Sequence, residues 1–257
     1  MNGQSVNFGN WIRVRIVLAF LIASIILIGL SALIPNPLVR IILWIMAGVM
    51  LVIFAYLTYV YYQFSEQGGG VQRRLWTLVI DHLDWNRRDQ VLDIGTGNGT
   101  FALLLATQSP DATVTGIDYW GTAWEYSQQV CEQNAAALGV AQRTHFQKAS
   151  AAKLPFEDGT FDAAVSHFVF HEVADAADKR AVIREALRVI RSGGAFAFQD
   201  MFLDAALYGD MDSLLDTIRS WGIAEVHGAD TGALLKLPRL LRHPRVLGQA
   251  ALIYGRK

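Results

Sequence analysis

The stretch that most constrains the fold of this chain is Gln90–Gly99, which reads Gln-Val-Leu-Asp-Ile-Gly-Thr-Gly-Asn-Gly. The apolar residues around Asp93 predict a buried strand, and three alternate glycines then lead into an apolar run that begins at Phe101. Glycine tolerates positive φ and lets backbone N–H groups approach a ligand with no Cβ in the way. The pattern therefore predicts a strand, a ligand-binding turn and a helix in immediate succession.

Three later segments extend this pattern. Thr113–Ile117 predicts a second strand that ends at Asp118, where an acidic side chain can accept both ribose hydroxyls of a nucleoside. Lys153–Val165 contains Leu-Pro-Phe-Glu-Asp-Gly-Thr-Phe-Asp, and a segment that starts at Arg184 contains Arg-Ser-Gly-Gly. In order and spacing, over about residues 70–200, these motifs resemble those of class I S-adenosylmethionine (SAM) dependent methyltransferases with a type 11-like domain.

Alternating strand and helix signals from residue 90 onward predict an α/β fold, with a parallel sheet covered on both faces. The resemblance implies a doubly wound, mostly parallel sheet of seven strands, Rossmann-like, whose last two strands form an antiparallel edge. The predicted strands lie near 90–94, 113–117, 143–147, 161–167, 195–201, 223–229 and 249–255. The predicted helices lie near 71–83, 99–108, 121–138, 178–191 and 211–221, with 231–245 as an insertion between the last two strands.

The resemblance also implies that SAM is the cofactor and assigns roles around it. Gly95 and Gly97 would line its methionine part, and Asp93 would hold its amino group, directly or through water. The alternative role for Asp93 is to cap the glycine turn. Asp118 would bind the ribose, and Tyr119 would lie against the adenine ring.

The adenine side departs from the family pattern. Where the family often has Gly-Asp-Ala, this chain has Ala149-Ser-Ala. Ser150 and Ala151 are therefore predicted to contact the adenine, although a hydroxyl bonds an amino group more weakly than a carboxylate does. Ser166, at the end of the fourth predicted strand, completes the predicted cofactor-binding set.

The segment Ser166–Glu172 borders the place where the methyl acceptor should lie. His167 is predicted to orient or deprotonate the acceptor, because the pKa of histidine lies near neutrality. His171 matches a histidine frequent at this point in the family and is the second candidate, with a structural role favoured. Methyl transfer is an in-line displacement that depends on alignment and needs no metal.

Two long uncharged stretches precede these motifs. Ile16–Ile34 has 19 residues and Ile41–Phe64 has 24. As helices they would be roughly 28 and 36 Å long, enough to cross a hydrocarbon core of about 30 Å. Pro35-Asn-Pro separates them, because proline breaks a helix. The sequence predicts a membrane anchor over 1–64 with spans at about 16–34 and 41–62. A signal peptide and a pair of buried core helices are the alternatives.

Basic residues predict the orientation of this hairpin, because they favour the cytoplasmic side. Four arginines flank the hairpin and one lies in its connection: Arg13, Arg15, Arg73 and Arg74, against Arg40. Both termini are therefore expected in the cytoplasm, together with a methyltransferase domain over 65–257. Gln63–Gln72, which contains Gly68–Gly70, is predicted to be a flexible linker or, alternatively, a lid or entry segment beside the SAM site.

These observations predict a two-span integral membrane methyltransferase that acts on a small or lipid-like acceptor at the cytoplasmic face. A nicotinamide-dependent oxidoreductase and a catalytically silent SAM-binding membrane protein are the alternatives. The net charge of −1 gives no reason to expect a nucleic-acid partner. A local basic group near the C-terminus is predicted to be a solvated face or a contact with anionic lipid headgroups. It consists of Arg239, Arg242, His243 and Arg245.

Overall fold

A computed structural model of the chain describes residue 8 and residues 10–86, 89–121 and 126–257. The chain divides into two compact units, one of Gly9–Arg74 and one of Leu75–Lys257 together with Met1–Phe8.

The first unit is a pair of helices, α1 (Val14–Leu33) and α2 (Pro37–Phe64). Asn36 begins α2, because its side chain accepts hydrogen bonds from the N–H groups of the second and third helical residues. Pro37 occupies the first helical position, where no donor is needed. Helix α2 begins four residues before the predicted span at about 41–62, so Arg40 lies in the first turn of α2 rather than in the connection.

The helix pair directs apolar side chains outward. Leu33 is 77% exposed and Val52 is 69% exposed, while the Ser24 hydroxyl donates to the Ala47 carbonyl oxygen at 3.1 Å between the helices. Both helices are long and apolar enough to cross a membrane. A signal sequence or the core helix of a soluble protein would pass the same test of length and composition.

The three glycines after α2 form a compact turn. The N–H groups of Gly68 and Gly70 donate to the Ser65 carbonyl oxygen at 3.2 and 3.1 Å. These hydrogen bonds fold the segment back on the end of α2, and its predicted role as a flexible linker stays a prediction. Helix α3 (Val71–Asp81) follows. The apolar positions whose spacing predicted it are all buried, namely Leu75, Leu78, Val79 and Leu83.

The second unit contains the predicted sheet of seven strands. The strands are β1 (Gln90–Ile94), β2 (Thr113–Asp118), β3 (Thr144–Lys148), β4 (Phe161–His167), β5 (Ile190–Asp200), β6 (Glu225–Asp230) and β7 (Ala251–Arg256). Their order across the sheet is β3-β2-β1-β4-β5-β7-β6, with β7 antiparallel to both neighbours and the other pairs parallel. The sequence-based prediction of a mostly parallel sheet with an antiparallel edge is confirmed.

Helices connect these strands. They are α4 (Thr100–Gln108), α5 (Gln128–Ala137), α6 (Lys179–Arg188), α7 (Ala205–Tyr208), α8 (Met211–Ser220) and α9 (Thr231–Leu234). The predicted helix over 121–138 begins later, at Gln128, where Ser127 caps it, and residues 122–125 lie outside the described residues. The sequence did not predict α7 and α9, which are single turns capped by Asp204 and Asp230.

Strand β5 begins five residues before the predicted position 195. Its first part passes through Gly193 and Gly194, opposite a register shift between Phe161 and Ala163 of β4. A Cβ on Gly194 would come to 2.6 Å from the Asp162 carbonyl oxygen, so glycine lets the two strands approach there. The sequence pattern could not show this early start of β5, because two consecutive glycines are typical of a turn rather than of a strand.

Side chains of alternate strand positions enter two separate cores, one on each face of the sheet. Leu92 and Ile94 of β1 belong to one core, and Val91 belongs to the other. A parallel sheet covered on both faces brings ligands to the carboxyl ends of its strands. Here the ends of β1, β2, β4 and β5 meet at one edge of the sheet.

Candidate active site

The glycine turn after β1 lies at this edge. Gly95, Gly97 and Gly99 have φ of 75°, 58° and 86°, in the left-handed region that favours glycine. The N–H groups of Gly95 and Thr96 both donate to the Ile117 carbonyl oxygen at 2.8 Å, which fixes the turn against β2. A Cβ on Gly95 would collide with the side chain of Val169, so the turn also packs closely against the loop after β4.

Asp93 lies beneath this turn and is buried. Its Oδ2 accepts hydrogen bonds from the Thr96 hydroxyl at 2.6 Å and from the Ala102 N–H at 3.0 Å. Burial raises the pKa of Asp93 to about 7, although both hydrogen bonds oppose that shift. The carboxylate thus caps the first turn of α4, which is its alternative predicted role. Its contact with the amino group of SAM stays a prediction.

Asp118 ends β2 directly beside the turn. Its Oδ2 accepts from the Gly97 N–H at 2.9 Å and its Oδ1 from the Trp120 N–H at 2.8 Å. Burial raises the pKa of this carboxyl, against the effect of these hydrogen bonds. Trp120 has a left-handed φ of 43°, and its indole N–H donates to the Gly97 carbonyl oxygen at 2.9 Å. The Tyr119 N–H also bonds to this carboxylate. A carboxylate has about four acceptor sites, so Asp118 can still accept from a ribose hydroxyl.

The predicted adenine contacts lie next to Asp118. Tyr119 is 65% exposed, with the Lys148 ammonium 5.1 Å from its ring centroid. Ala151 is buried, whereas the Ser150 hydroxyl donates to Oδ2 of Asp175 at 2.7 Å. The structure therefore places the Asp175 carboxylate beside Ser150, the position at which the family often has an aspartate. Sequence reasoning missed Asp175, because it is 25 residues from Ser150.

Ser166 does not lie where a cofactor could reach its side chain. It is buried, and its hydroxyl donates to the Ile94 carbonyl oxygen at 3.0 Å. The hydroxyl thus ties β4 to β1 below the site. The hydroxyl is therefore occupied within the sheet, and the predicted role of Ser166 in cofactor binding stays a prediction.

His167 occupies an apolar environment. Its two ring nitrogens are buried, and its ring lies 5.1 Å from that of Phe101 and 4.9 Å from that of Phe168, between centroids. Burial lowers the pKa of His167 to about 3, although a hydrogen bond with Gln199 opposes the shift. A base with so low a pKa is poorly matched to proton transfer near neutrality. This environment does not favour His167 as a general base, and its predicted role in orienting or deprotonating the acceptor stays a prediction.

His171 has the opposite environment. Its Nδ1 lies 2.7 Å from Oδ1 of Asp200, the last residue of β5. Burial acts to lower the pKa of His171, but the hydrogen bond and charge of Asp200, with a contribution from Glu172, outweigh it and raise the pKa. Its ring is partly exposed, so that a small molecule can reach it. Of the two histidines, His171 thus has the environment that favours proton transfer near neutrality.

Asp200 is held firmly. It is buried, and its carboxylate accepts from the N–H groups of Phe170 and Met201 at 2.7 and 2.6 Å. Tyr208 is also buried, and burial together with the nearby charge of Asp200 raises the pKa of Tyr208. Sequence reasoning missed Asp200. The signal that could have found it is a carboxylate that directly ends an apolar strand at the ligand-binding edge.

The geometry fits SAM on its donor side. Gly95 and Gly97 have positive φ, and a Cβ on Gly97 would come to 3.4 Å from the ring of Tyr126, at ordinary van der Waals distance. Asp118 supplies the carboxylate that a ribose needs. The residues that would hold SAM are Gly95, Gly97 and Asp118, with Ser150 and Asp175 at the adenine.

Comparison with known proteins identifies the class. A family model described as "Methyltransferase domain" matches residues 86–232, more than half of the chain. The chain therefore belongs to this methyltransferase family, and the predicted SAM-dependent methyltransferase class is confirmed.

Curated relatives are methyltransferases by name. The chain is 33% identical to O-methyltransferase rstn1 of Aspergillus nomiae, over 51% of this chain and 55% of that protein. It is 29% identical to a ubiquinone/menaquinone biosynthesis C-methyltransferase of Geotalea daltonii, over 49% and 51%. It is 36% identical to 27-O-demethylrifamycin SV methyltransferase of Amycolatopsis mediterranei, over 51% and 45%. The chain thus spans about half the length of the curated relatives it matches.

Solved structures share the fold. The [4+2]-cyclase SpnF has a TM-score of 0.53 at 21% identity, covering 72% of this chain and 80% of that one. The YcgJ protein of Bacillus subtilis has a TM-score of 0.52 at 21% identity, covering 72% and 98%. Because one of these proteins is named a cyclase, the fold alone does not define the reaction.

Proposed function

We propose that this protein transfers the methyl group of SAM to a hydroxyl of a small, largely apolar molecule at the cytoplasmic face of a membrane. The observation that carries this proposal is the His171–Asp200 pair, 2.7 Å apart at the ends of β4 and β5. It provides an acid–base group beside a turn that fits the methyl donor. Relatives named O-methyltransferases support a hydroxyl as the acceptor.

Bound SAM would supply an electrophilic methyl group on a sulfonium. In the neutral ring, the Asp200 carboxylate would hold the Nδ1–H of His171 and leave Nε2 to accept a proton, as a base requires. The acceptor O–H gives its proton to Nε2, and an oxygen lone pair bonds to the methyl carbon. Methyl transfer would leave the electrons of the carbon–sulfur bond on sulfur and would yield S-adenosylhomocysteine. The charge of Asp200 stabilises the resulting imidazolium.

The loop that carries His171 also separates the reaction from water. Phe168 has a left-handed φ of 55°, which turns the chain sharply at the end of β4. Phe170 is buried behind the dyad, and Val169 packs on Gly95 of the donor turn. Apolar side chains beside the transferring methyl exclude water and favour an apolar acceptor.

Membrane attachment is the second part of the proposal. The outward-facing apolar residues of α1 and α2 support two membrane spans, because such side chains are stable in lipid and unfavourable in water. The excess of arginines outside the connection supports cytoplasmic termini. Relatives named for ubiquinone and menaquinone biosynthesis support a lipid-like acceptor.

Ligand binding tests the donor part. Calorimetry on the full chain in detergent should detect SAM and S-adenosylhomocysteine but not NADH. Binding of NADH alone would support the oxidoreductase alternative and contradict the proposal. Lipid and metabolite profiles of cells that lack or overproduce the protein should then differ by a species shifted by one methyl mass. Unchanged profiles with intact SAM binding would support the silent SAM-binding alternative.

Cysteine accessibility tests the orientation. Leu38 is 70% exposed near the start of α2 and, unlike Asn36, does not cap the helix, so a Leu38→Cys variant keeps the turn intact. Cys131 is buried and should not label. An impermeant thiol reagent should label the variant only from the non-cytoplasmic side. Labelling from the cytoplasm alone would contradict the two-span topology.

A further inference from the structure

The segment between β6 and β7, residues 231–250, lies at the same edge of the sheet as the dyad. The Gln199 side-chain amide donates to the Thr231 hydroxyl at 2.9 Å, one residue before Asp200. The Leu203 N–H donates to the Gln249 carbonyl oxygen at 3.0 Å. Both ends of the segment are thus fixed to the carboxyl end of β5.

This segment carries positive charge and no acidic residue. It contains Lys236, Arg239, Arg242, His243 and Arg245, and all five are exposed. Arg242 pairs with Asp230, just outside the segment, at 3.3 Å. Within the part of the chain that the structure describes, no ion pair is found for Arg239 or Arg245. The segment therefore presents uncompensated positive charge to its surroundings.

Apolar side chains stand among these charges. Leu234 is 45% exposed and Leu240 is 57% exposed. Other leucines of the same segment are buried and hold its backbone in place, namely Leu237, Leu241 and Leu247. A purely solvated face does not need exposed leucines between arginines, whereas a surface that enters the headgroup region of a bilayer uses both.

We propose that the 231–250 segment docks on a surface of anionic phospholipid. Its arginines would contact headgroup phosphates, and Leu234 and Leu240 would enter the boundary of the acyl chains. Docking would hold the edge that carries His171 and Asp200 at the membrane, where a lipid-like acceptor concentrates. This inference rests on the membrane attachment proposed above, but it does not depend on which molecule is methylated.

The test measures how deeply one side chain of the full-length protein enters the bilayer. An environment-sensitive fluorophore on Leu240→Cys is compared in nanodiscs of phosphatidylcholine alone and of phosphatidylcholine with phosphatidylglycerol. The emission should shift to the blue, and a quencher on the lipid chains should reach the probe, only in the anionic discs. Raising the salt concentration should reverse both effects, because salt screens charges at the surface.

Charge variants make the test specific. In Arg239→Gln/Arg245→Gln, the ratio of docked to released segment should fall by about fivefold for each arginine, the scale of one basic residue at an anionic surface. Arg219→Gln, at the end of α8, is the matched control, and Ser220→Cys is the control probe site. Both lie at the opposite edge of the sheet, because β6 starts there and runs parallel to β5. Neither control should respond to lipid charge.

An equal probe signal in neutral and anionic discs, or an unchanged signal in the double arginine variant, would overturn the proposal. Binding of nucleic acid in place of lipid would overturn it as well. Resistance of the protein to alkaline extraction from vesicles reports insertion of α1 and α2 separately. Failure of the hairpin and failure of the docking surface are therefore distinguished, and neither readout requires turnover.

Discussion

The two halves of the site differ in how the chain builds them. The donor half, around Gly95–Gly99 and Asp118, comes from one strand–turn–helix unit and the strand that follows it. The acceptor half joins His171 to Asp200, 29 residues away on the next strand. A contiguous motif can be recognised from the sequence, whereas a pair assembled by strand order becomes visible only in the folded sheet. The comparison also predicts separable effects: donor variants should change SAM affinity, and acceptor variants should change turnover.

The largest effect is expected for His171→Ala. Removing the base should slow turnover by about 10²–10⁴, the usual contribution of a positioned acid–base group. SAM affinity should stay within a few fold, because no predicted SAM contact is lost. His167→Gln is the matched comparison, and its turnover should fall much less. Equal losses of turnover in the two variants, measured at saturating SAM, would contradict the assignment of His171 rather than His167 as the base.

Asp118→Ala should impair SAM binding by the donor half of the site. SAM binding should weaken by about 1.5–3 kcal/mol, the scale of lost hydrogen bonds to a charged acceptor. Calorimetry gives the affinity, and a thermal melt of the same sample checks that the fold is intact. The pH dependence of turnover at saturating SAM should stay unchanged. A folded variant with normal SAM affinity would show that Asp118 is not the ribose ligand.

Asp200→Asn should alter the pH profile. Neutral His171 is the proposed base, so turnover should rise with pH through its pKa, which Asp200 raises above the ordinary value. In the variant, that rising limb should move to lower pH, because the hydrogen-bonded negative charge is gone. The plateau should also fall by about tenfold or more, the low end for a positioned acid–base group. A limb that does not move would mean that His171 is not the titrating base.

Asp93 gives a smaller, pH-dependent effect on the donor half. Its carboxyl has a pKa of about 7, and a cationic amino group nearby would favour the ionised form. SAM binding should therefore release a proton and strengthen as pH rises through about 7. Asp93→Asn should flatten this dependence. A wild-type affinity that is independent of pH would assign Asp93 to capping alone.

The same raised pKa affects stability in the unliganded protein. A carboxyl that is harder to ionise in the folded than in the unfolded chain stabilises the fold at low pH. That contribution to the free energy of unfolding should be lost as pH rises from 3.8 to about 7. Denaturant unfolding of the wild type and of Asp93→Asn across this range measures it. A difference between them that does not vary with pH would contradict the buried protonated state.

The smallest effect concerns the adenine. Ser150→Ala and Asp175→Asn should each weaken SAM binding by about 0.5–1.5 kcal/mol, the net value of one hydrogen bond. Asp178→Asn is the matched control, because it lies three residues from Asp175 and asparagine also caps a helix. Effects that are equal in all three variants would remove Asp175 from the adenine site.

The sequence was informative where function depends on local backbone. The glycine turn, Asp118 and all seven strands were predicted from short segments, because strand periodicity and glycine spacing are local properties. The environments of His167 and His171 were not predictable, since Phe101 and Asp200 come from distant segments. The His167 ring packs against aromatic rings, whereas the His171 ring is hydrogen-bonded to a carboxylate. Residue type alone suggests a pKa near neutrality for both.

The most direct measurement is methyl transfer by the full chain itself. Protein reconstituted in lipid is incubated with SAM labelled in its methyl group and with an extract of small molecules and lipids, and products are separated by mass. We predict a labelled product and an equal amount of S-adenosylhomocysteine with the wild type. His171→Ala should bind SAM but give neither, and Asp118→Ala should fail at binding. Wild-type protein that binds SAM without releasing S-adenosylhomocysteine, or a His171→Ala variant that still transfers label at the wild-type rate, would contradict the account.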